Sequence, residues 1–116
     1  MINKIVTLCG SAKFKKYFKY INFQLQKRGY LVFMPDSFNT TNFELLNEEQ
    51  IETLHRIHEA KMMASSIVYF INVDGYMGKD TLRELKFCVD NNLTIGLLYS
   101  EFSVDDYLRK EINDVV

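Results

Sequence analysis

Four short apolar runs alternate with segments of helical period along this chain, and that alternation restricts the fold more than any other feature. The runs are KIVTLC at 4–9, YLVFM at 30–34, SIVYFINV at 66–73 and TIGLLY at 94–99. Between the first two, Phe14, Tyr17, Phe18, Ile21 and Leu25 recur at helical spacing with charges between them. They predict a helix over 12–28 that Gly29 terminates. Pro35-Asp36 breaks the second run, and the polar residues 36–46 read as a surface loop. A second helix is predicted over 47–63, where NEEQ supplies acidic residues to the first turn and Ile51, Leu54 and Met62 supply the buried stripe. A third runs from about Asp80 to Asn91, and an amphipathic helix follows Ser103.

Strands alternating with crossover helices pair in parallel. Strands that are apolar throughout belong in a sheet covered on both faces. Right-handed crossovers then give a three-layer, doubly wound α/β sandwich with strand order 2-1-3-4, to which a fifth edge element could add. The chain has 116 residues, one proline, no repeat and no linker-like stretch, so residues 1–116 read as one domain. Ligands of such sheets bind at the carboxyl ends of the strands, where the order reverses. The segments CGSAK, after strand 1, and DGYMGKDT, after strand 3, meet at that point.

Composition narrows the function. A net charge of −1 gives no field suited to polymeric nucleic acid. No apolar run approaches the ~20 residues of a membrane span, and the N-terminus lacks the pattern of a signal peptide. Cys9 and Cys88 are isolated and lack metal-ligand spacing, so they read as reduced thiols of a cytoplasmic protein without a metal. Seven tyrosines and nine phenylalanines in so short a chain suggest a homo-oligomer.

Each candidate site residue carries two readings. Gly10-Ser11 feeds a helix N-terminus, where free N–H groups favour an anion; Ser11 would add a hydroxyl and Lys13 a charge. The same pair is also an ordinary turn with an N-cap. Gly75 and Gly78 would let the backbone approach a ligand. Thr81-x-x-Glu84 matches a capping box, yet a carboxylate in a half-buried crevice beside a sugar can attack an anomeric carbon. His58 shares one helix face with Leu54 and Met62, as a structural histidine would, or it could protonate a departing group. Lys61, nearby on the same helix, could meet a phosphate or extend to water.

The motifs VTLCGSAKF (6–14), HEAKMMASSIVYFINVDGYMG (58–78) and DTLRELKFC (80–88) together carry a family likeness. The chain resembles the nucleoside 2-deoxyribosyltransferase-like superfamily, which includes the deoxynucleoside 5′-monophosphate N-glycosidases. The resemblance covers residues 4 to about 99. It implies a flavodoxin-like parallel sheet and a nucleotide pocket lined by Gly10, Ser11 and Lys13, where family members often carry arginine at the last position. It implies that Glu84 attacks C1′ and displaces the base, that no cofactor or metal is needed, and that sites are completed across a subunit interface. Two positions depart from the pattern. His58 stands where family enzymes usually carry an aspartate that handles the leaving base, and Thr7 stands near the place of a tyrosine common in the transferases.

The expected function is therefore cleavage or transfer at the N-glycosidic bond of a nucleoside or nucleoside 5′-monophosphate. Glu84 would be the nucleophile and His58 the group that assists the base. Gly10, Ser11, Lys13, Lys61, Asp74, Gly75, Gly78 and Thr81 would bind substrate, with Asp74 reaching a sugar hydroxyl. The alternative is a nucleotide-binding or sensing module without catalysis. A flavoprotein fits less well, because the first loop lacks a hydroxyl-rich phosphate cradle.

Overall fold

The structure is a computed structural model that describes residues 4–35 and 45–115. Most of the polar loop read at 36–46 lies outside the described residues. In chain order the elements are β1 (Lys4–Cys9), α1 (Lys15–Lys27), β2 (Tyr30–Phe33), α2 (Glu48–Met63), β3 (Ile67–Phe70), α3 (Lys79–Asp90), β4 (Ile95–Leu97) and α4 (Val104–Val115). The four strands form one all-parallel sheet in the order β2-β1-β3-β4. This is the doubly wound, flavodoxin-like arrangement that the alternation predicts. Among the described residues no helix is long and apolar enough to cross a membrane.

The strands divide the core by their period of two. Val6 and Leu8 of β1 pack with Phe18 of α1 and with Ile71 on one face. Cys9 of β1, with Val68 and Phe70 of β3, packs with Met62 of α2 and with Leu85 and Cys88 of α3 on the other. Phe18 and Phe70 have no solvent exposure, and burying each contributes roughly 2–3 kcal/mol. Thr7 is a polar residue in a fully buried strand position. Its hydroxyl lies 2.6 Å from Ser65 Oγ, which donates in turn to the Lys61 carbonyl at 2.7 Å. The polar end of α2 thus satisfies the one hydroxyl that β1 buries.

Local chemistry sets the element ends. α2 begins at a capping box: Asn47 Oδ1 accepts from Gln50 N–H at 2.8 Å, and Gln50 Oε1 accepts from Asn47 N–H at 3.0 Å. β3 is shorter than the apolar run 66–73, because Asn72 turns the chain. Asn72 is fully buried. Its Nδ2 donates to the Tyr99 carbonyl (3.1 Å) and to Tyr107 Oη (2.9 Å), while its Oδ1 accepts from Tyr99 N–H (2.7 Å). Tyr107 O–H donates to the Gly75 carbonyl at 3.0 Å. One amide therefore joins the end of β3, the segment after β4 and α4. Val73–Gly75 then make a single 3₁₀ turn with Asp74 at φ 55° and Gly75 at φ 81°.

Replacing Asn72 by alanine strands buried partners on Tyr99 and Tyr107. The expected loss is at least about 2 kcal/mol, since each unsatisfied buried group costs roughly 1–3 kcal/mol. Urea unfolding of Asn72→Ala against the parent checks this, and an unchanged midpoint would show that the amide network carries no stability.

Candidate functional site

The carboxyl ends of β1 and β3 open onto a cavity of about 510 Å³, within the range of small-molecule sites. Gly10, Ser11, His58, Gly78, Thr81 and Glu84 all line it. The bend after β1 and the Glu84 carboxylate thus share one cleft.

Gly10 makes the bend possible. Its φ is 152°, and a Cβ there would lie 3.0 Å from the Ile71 carbonyl oxygen and 3.1 Å from Phe18 Cζ. Only glycine lets β1 end this close to both neighbours. Ser11 then caps a 3₁₀ turn over Ala12–Phe14, accepting from Lys13 N–H at 3.3 Å. It serves as the N-cap of the ordinary-turn reading and as part of the cavity wall.

Glu84 does not cap its helix. The N-cap of α3 is Gly78, with no side-chain hydrogen bond, and the helix begins at Lys79. Glu84 therefore sits in the second turn, and its Oε2 lies 2.8 Å from His58 Nε2 across the gap between α3 and α2. The capping-box reading of Thr81-x-x-Glu84 fails because the helix starts earlier than the spacing suggests. Gly78 offers no side chain to cap the first amides of α3, and Gly78, Lys79, Asp80 and Thr81 contribute to the cavity wall.

His58 is 8% exposed. Its Nε2 also lies 3.3 Å from Cys9 Sγ, the last residue of β1. Among the described residues its Nδ1 is buried without a hydrogen-bond partner. Behind Cys9 lie Met62 Sδ at 3.8 Å and then Cys88, whose Sγ is 3.9 Å from the same thioether. Burial pushes the Cys9 thiol well up, aided by the Glu84 charge and by Cys88. Burial and the Glu84 charge push Cys88 up to about 12.

The other expected residues lie elsewhere. Lys13 Nζ sits 3.2 Å from the centroid of the Tyr76 ring and 5.3 Å from that of Phe14, which itself packs edge-on against Tyr76. That stack bridges the loops after β1 and β3, and Lys13 is not part of the cavity wall. Lys61 Nζ lies 5.6 Å from the Phe33 ring. Asp74 and Gly75 belong to the turn before Tyr76 and do not line the cavity. A Cβ on Gly75 would come within 2.4–2.8 Å of the Phe102 ring, so this glycine makes room for an aromatic side chain of the fold.

Sequence reasoning missed Cys9, Arg83 and His55. Arg83 lines the cavity and reaches Glu52 at 3.2 Å and His55 Nδ1 at 3.3 Å, which ties α3 to α2 at the rim. Strand period offered a signal for Cys9: it shares a sheet face with Thr7 and ends β1 at the switch point. No such signal existed for Arg83 and His55, which meet only when α2 and α3 pack. Compared with family models, with curated proteins and with solved structures, the chain matches none.

The raised thiols make a prediction about pH. The folded state holds the Cys9 and Cys88 protons to higher pH than the unfolded chain does. Unfolding therefore releases protons above about pH 8.5. Stability falls as pH rises from there toward the folded values, by at most ~1.4 kcal/mol per pH unit for each thiol. Urea unfolding between about pH 8.5 and 10 should give a shallower decline in Cys88→Ala than in the parent. Equal slopes would exclude Cys88 as a contributor.

Proposed function

We propose that this protein is an enzyme of N-glycosidic bond chemistry, acting on a nucleoside or a nucleoside 5′-monophosphate through Glu84. One observation carries the reading: the Glu84–His58 contact of 2.8 Å lies on the wall of a cavity that also holds the Gly10–Ser11 bend. A nucleophilic carboxylate, a proton-bearing imidazole and a backbone turn beside a helix start are the parts this reaction needs. The uncapped amides of α3, with Lys79 and Arg83 beside them, suit sugar hydroxyls or a 5′-phosphate.

In the proposed reaction the substrate separates the pair. A Glu84 oxygen forms a bond to C1′ as the C1′–N bond breaks, and the electron pair leaves with the base, which takes a proton from His58. Water then attacks C1′, returns a proton to His58 and frees the carboxylate. A second base in place of water gives transfer. The proposal extends to a cytoplasmic homo-oligomer. Two buried, unpaired thiols suit a reducing compartment. Tyr20 and Phe23, 66% and 57% exposed, give α1 an aromatic stripe suited to a second copy of the chain.

The same contact favours a second reading. Catalytic groups that flank a scissile glycosidic bond stand roughly 5 Å apart or more, whereas Glu84 and His58 touch. If the pair stays closed around a ligand, the protein binds nucleotides without turning them over.

Incubation with a panel of nucleosides and 5′-monophosphates, with free base followed by chromatography, separates these outcomes. Glu84→Ala should lower release roughly 10³-fold or more, as loss of a nucleophile does, and His58→Ala roughly 10²–10⁴-fold. Release unaffected by Glu84→Ala would remove the enzymatic reading. Heat of binding in calorimetry without any release would select the second.

A further inference from the structure

Cys9, His58 and Glu84 come from three different elements, the end of β1, the body of α2 and the second turn of α3. Their ligand atoms converge: Sγ, one imidazole nitrogen and one carboxylate oxygen all lie within 4.8 Å of one another. Sγ is 3.3 Å from Nε2, and Nε2 is 2.8 Å from Oε2. A tetrahedral zinc ion, with Zn–S near 2.3 Å and Zn–N or Zn–O near 2.0–2.1 Å, needs such atoms ~3.3–3.6 Å apart. The sulfur–nitrogen pair, at 3.3 Å, must open by about 0.3 Å to reach the ~3.6 Å that a Zn–S and a Zn–N bond subtend. The nitrogen–oxygen pair must open by about half an ångström, which rotation of the half-buried Glu84 side chain can supply. We infer that Cys9, His58 and Glu84 form a binding site for a thiophilic divalent cation of the zinc class, with its fourth position open to the cavity.

Three further features fit this site. Thiolate, imidazole and carboxylate are the ligand types that zinc takes, and three protein ligands leave one position for water. On binding, the Cys9 thiol proton leaves to solvent, and the proton held between His58 Nε2 and Glu84 Oε2 must leave Nε2 as well, so that thiolate, imidazole nitrogen and carboxylate all face the ion. The ion, one thiolate and one carboxylate then sum to zero charge, which suits a site whose cysteine and histidine are buried. His58 and Glu84 also line the cavity wall, so the ion has an entry path past them to Cys9, which is fully buried next to His58. The inference is independent of the proposed reaction, although a cation held here would occupy the Glu84 carboxylate and block its attack.

Cobalt(II) reports such a site directly, through a thiolate-to-metal absorption in the near ultraviolet and intense tetrahedral bands in the visible. Chelator-treated, reduced protein titrated with cobalt chloride should show both, saturate at one equivalent and lose them on addition of one equivalent of zinc chloride. Cys9→Ser should abolish the near-ultraviolet band, while Cys88→Ser should keep it. Glu84→Gln, altered on the cavity wall rather than in the core, should weaken zinc at least roughly tenfold in competition with a chromophoric chelator, the lower end of what outer-shell partners alone contribute. Circular dichroism establishes that each variant is folded; if Cys9→Ser is not, Glu84→Gln decides. No thiolate band in the parent, a band retained in folded Cys9→Ser, or zinc affinity unchanged in Glu84→Gln would each overturn the inference.

Discussion

β1 is paired in parallel on both edges, to β2 and to β3, and everything at the site follows from that double pairing. The chain leaves β1 toward one side through α1 and returns past it to the other side through α2. At the carboxyl ends of the neighbours β1 and β3 the chain turns to opposite faces of the sheet, into α1 and into α3, and the cavity lies where the two paths part. Gly10 and Ser11, which follow β1, therefore reach the cavity wall that residues of α2 and α3 also line. Gly10 permits the bend there because Ile71 and Phe18 leave no room for a side chain.

The divergence also brings three polar side chains into one half-buried place. Cys9 arrives on a strand, His58 and Glu84 on helices that pack over the same sheet face. A carboxylate beside an imidazole in such a place can act on a substrate, and with a thiol it can also bind a cation. Both uses draw on one economy of charge: little water competes there, so each group relies on its neighbours. Glu84 bears on both thiols as well, since its charge helps to keep them protonated.

The loops around the cavity are held from behind. Asn72 fixes the turn after β3 to Tyr99 and Tyr107, and Tyr107 holds the Gly75 carbonyl. In front, Lys13 spans from the first loop to the Tyr76 ring of the second. Such a contact is worth roughly 0.5–1 kcal/mol where it is exposed, so it aligns the two loops more than it stabilises the fold. Lys13 and Gly75, expected to touch a ligand, take part in this frame, and Asp74 lies in the same turn as Gly75.

The apolar runs and helical periods determined the element order, and with the handedness of crossovers they determined the sheet order. Those are local and topological properties, readable because strand and helix periods differ. Glu84 and His58 stood out as titratable groups on predicted helices, and the Gly10-Ser11 bend as a break after a strand. Their contact did not, for it depends on the rotation of α2 against α3, which no spacing within either helix encodes. Thr81-x-x-Glu84 misled for a related reason: a short motif matches a cap wherever it occurs, while α3 itself starts at Lys79, with Gly78 as its N-cap. Periodicity along the chain thus set what the elements are, and only packing between them decided which of their polar side chains meet.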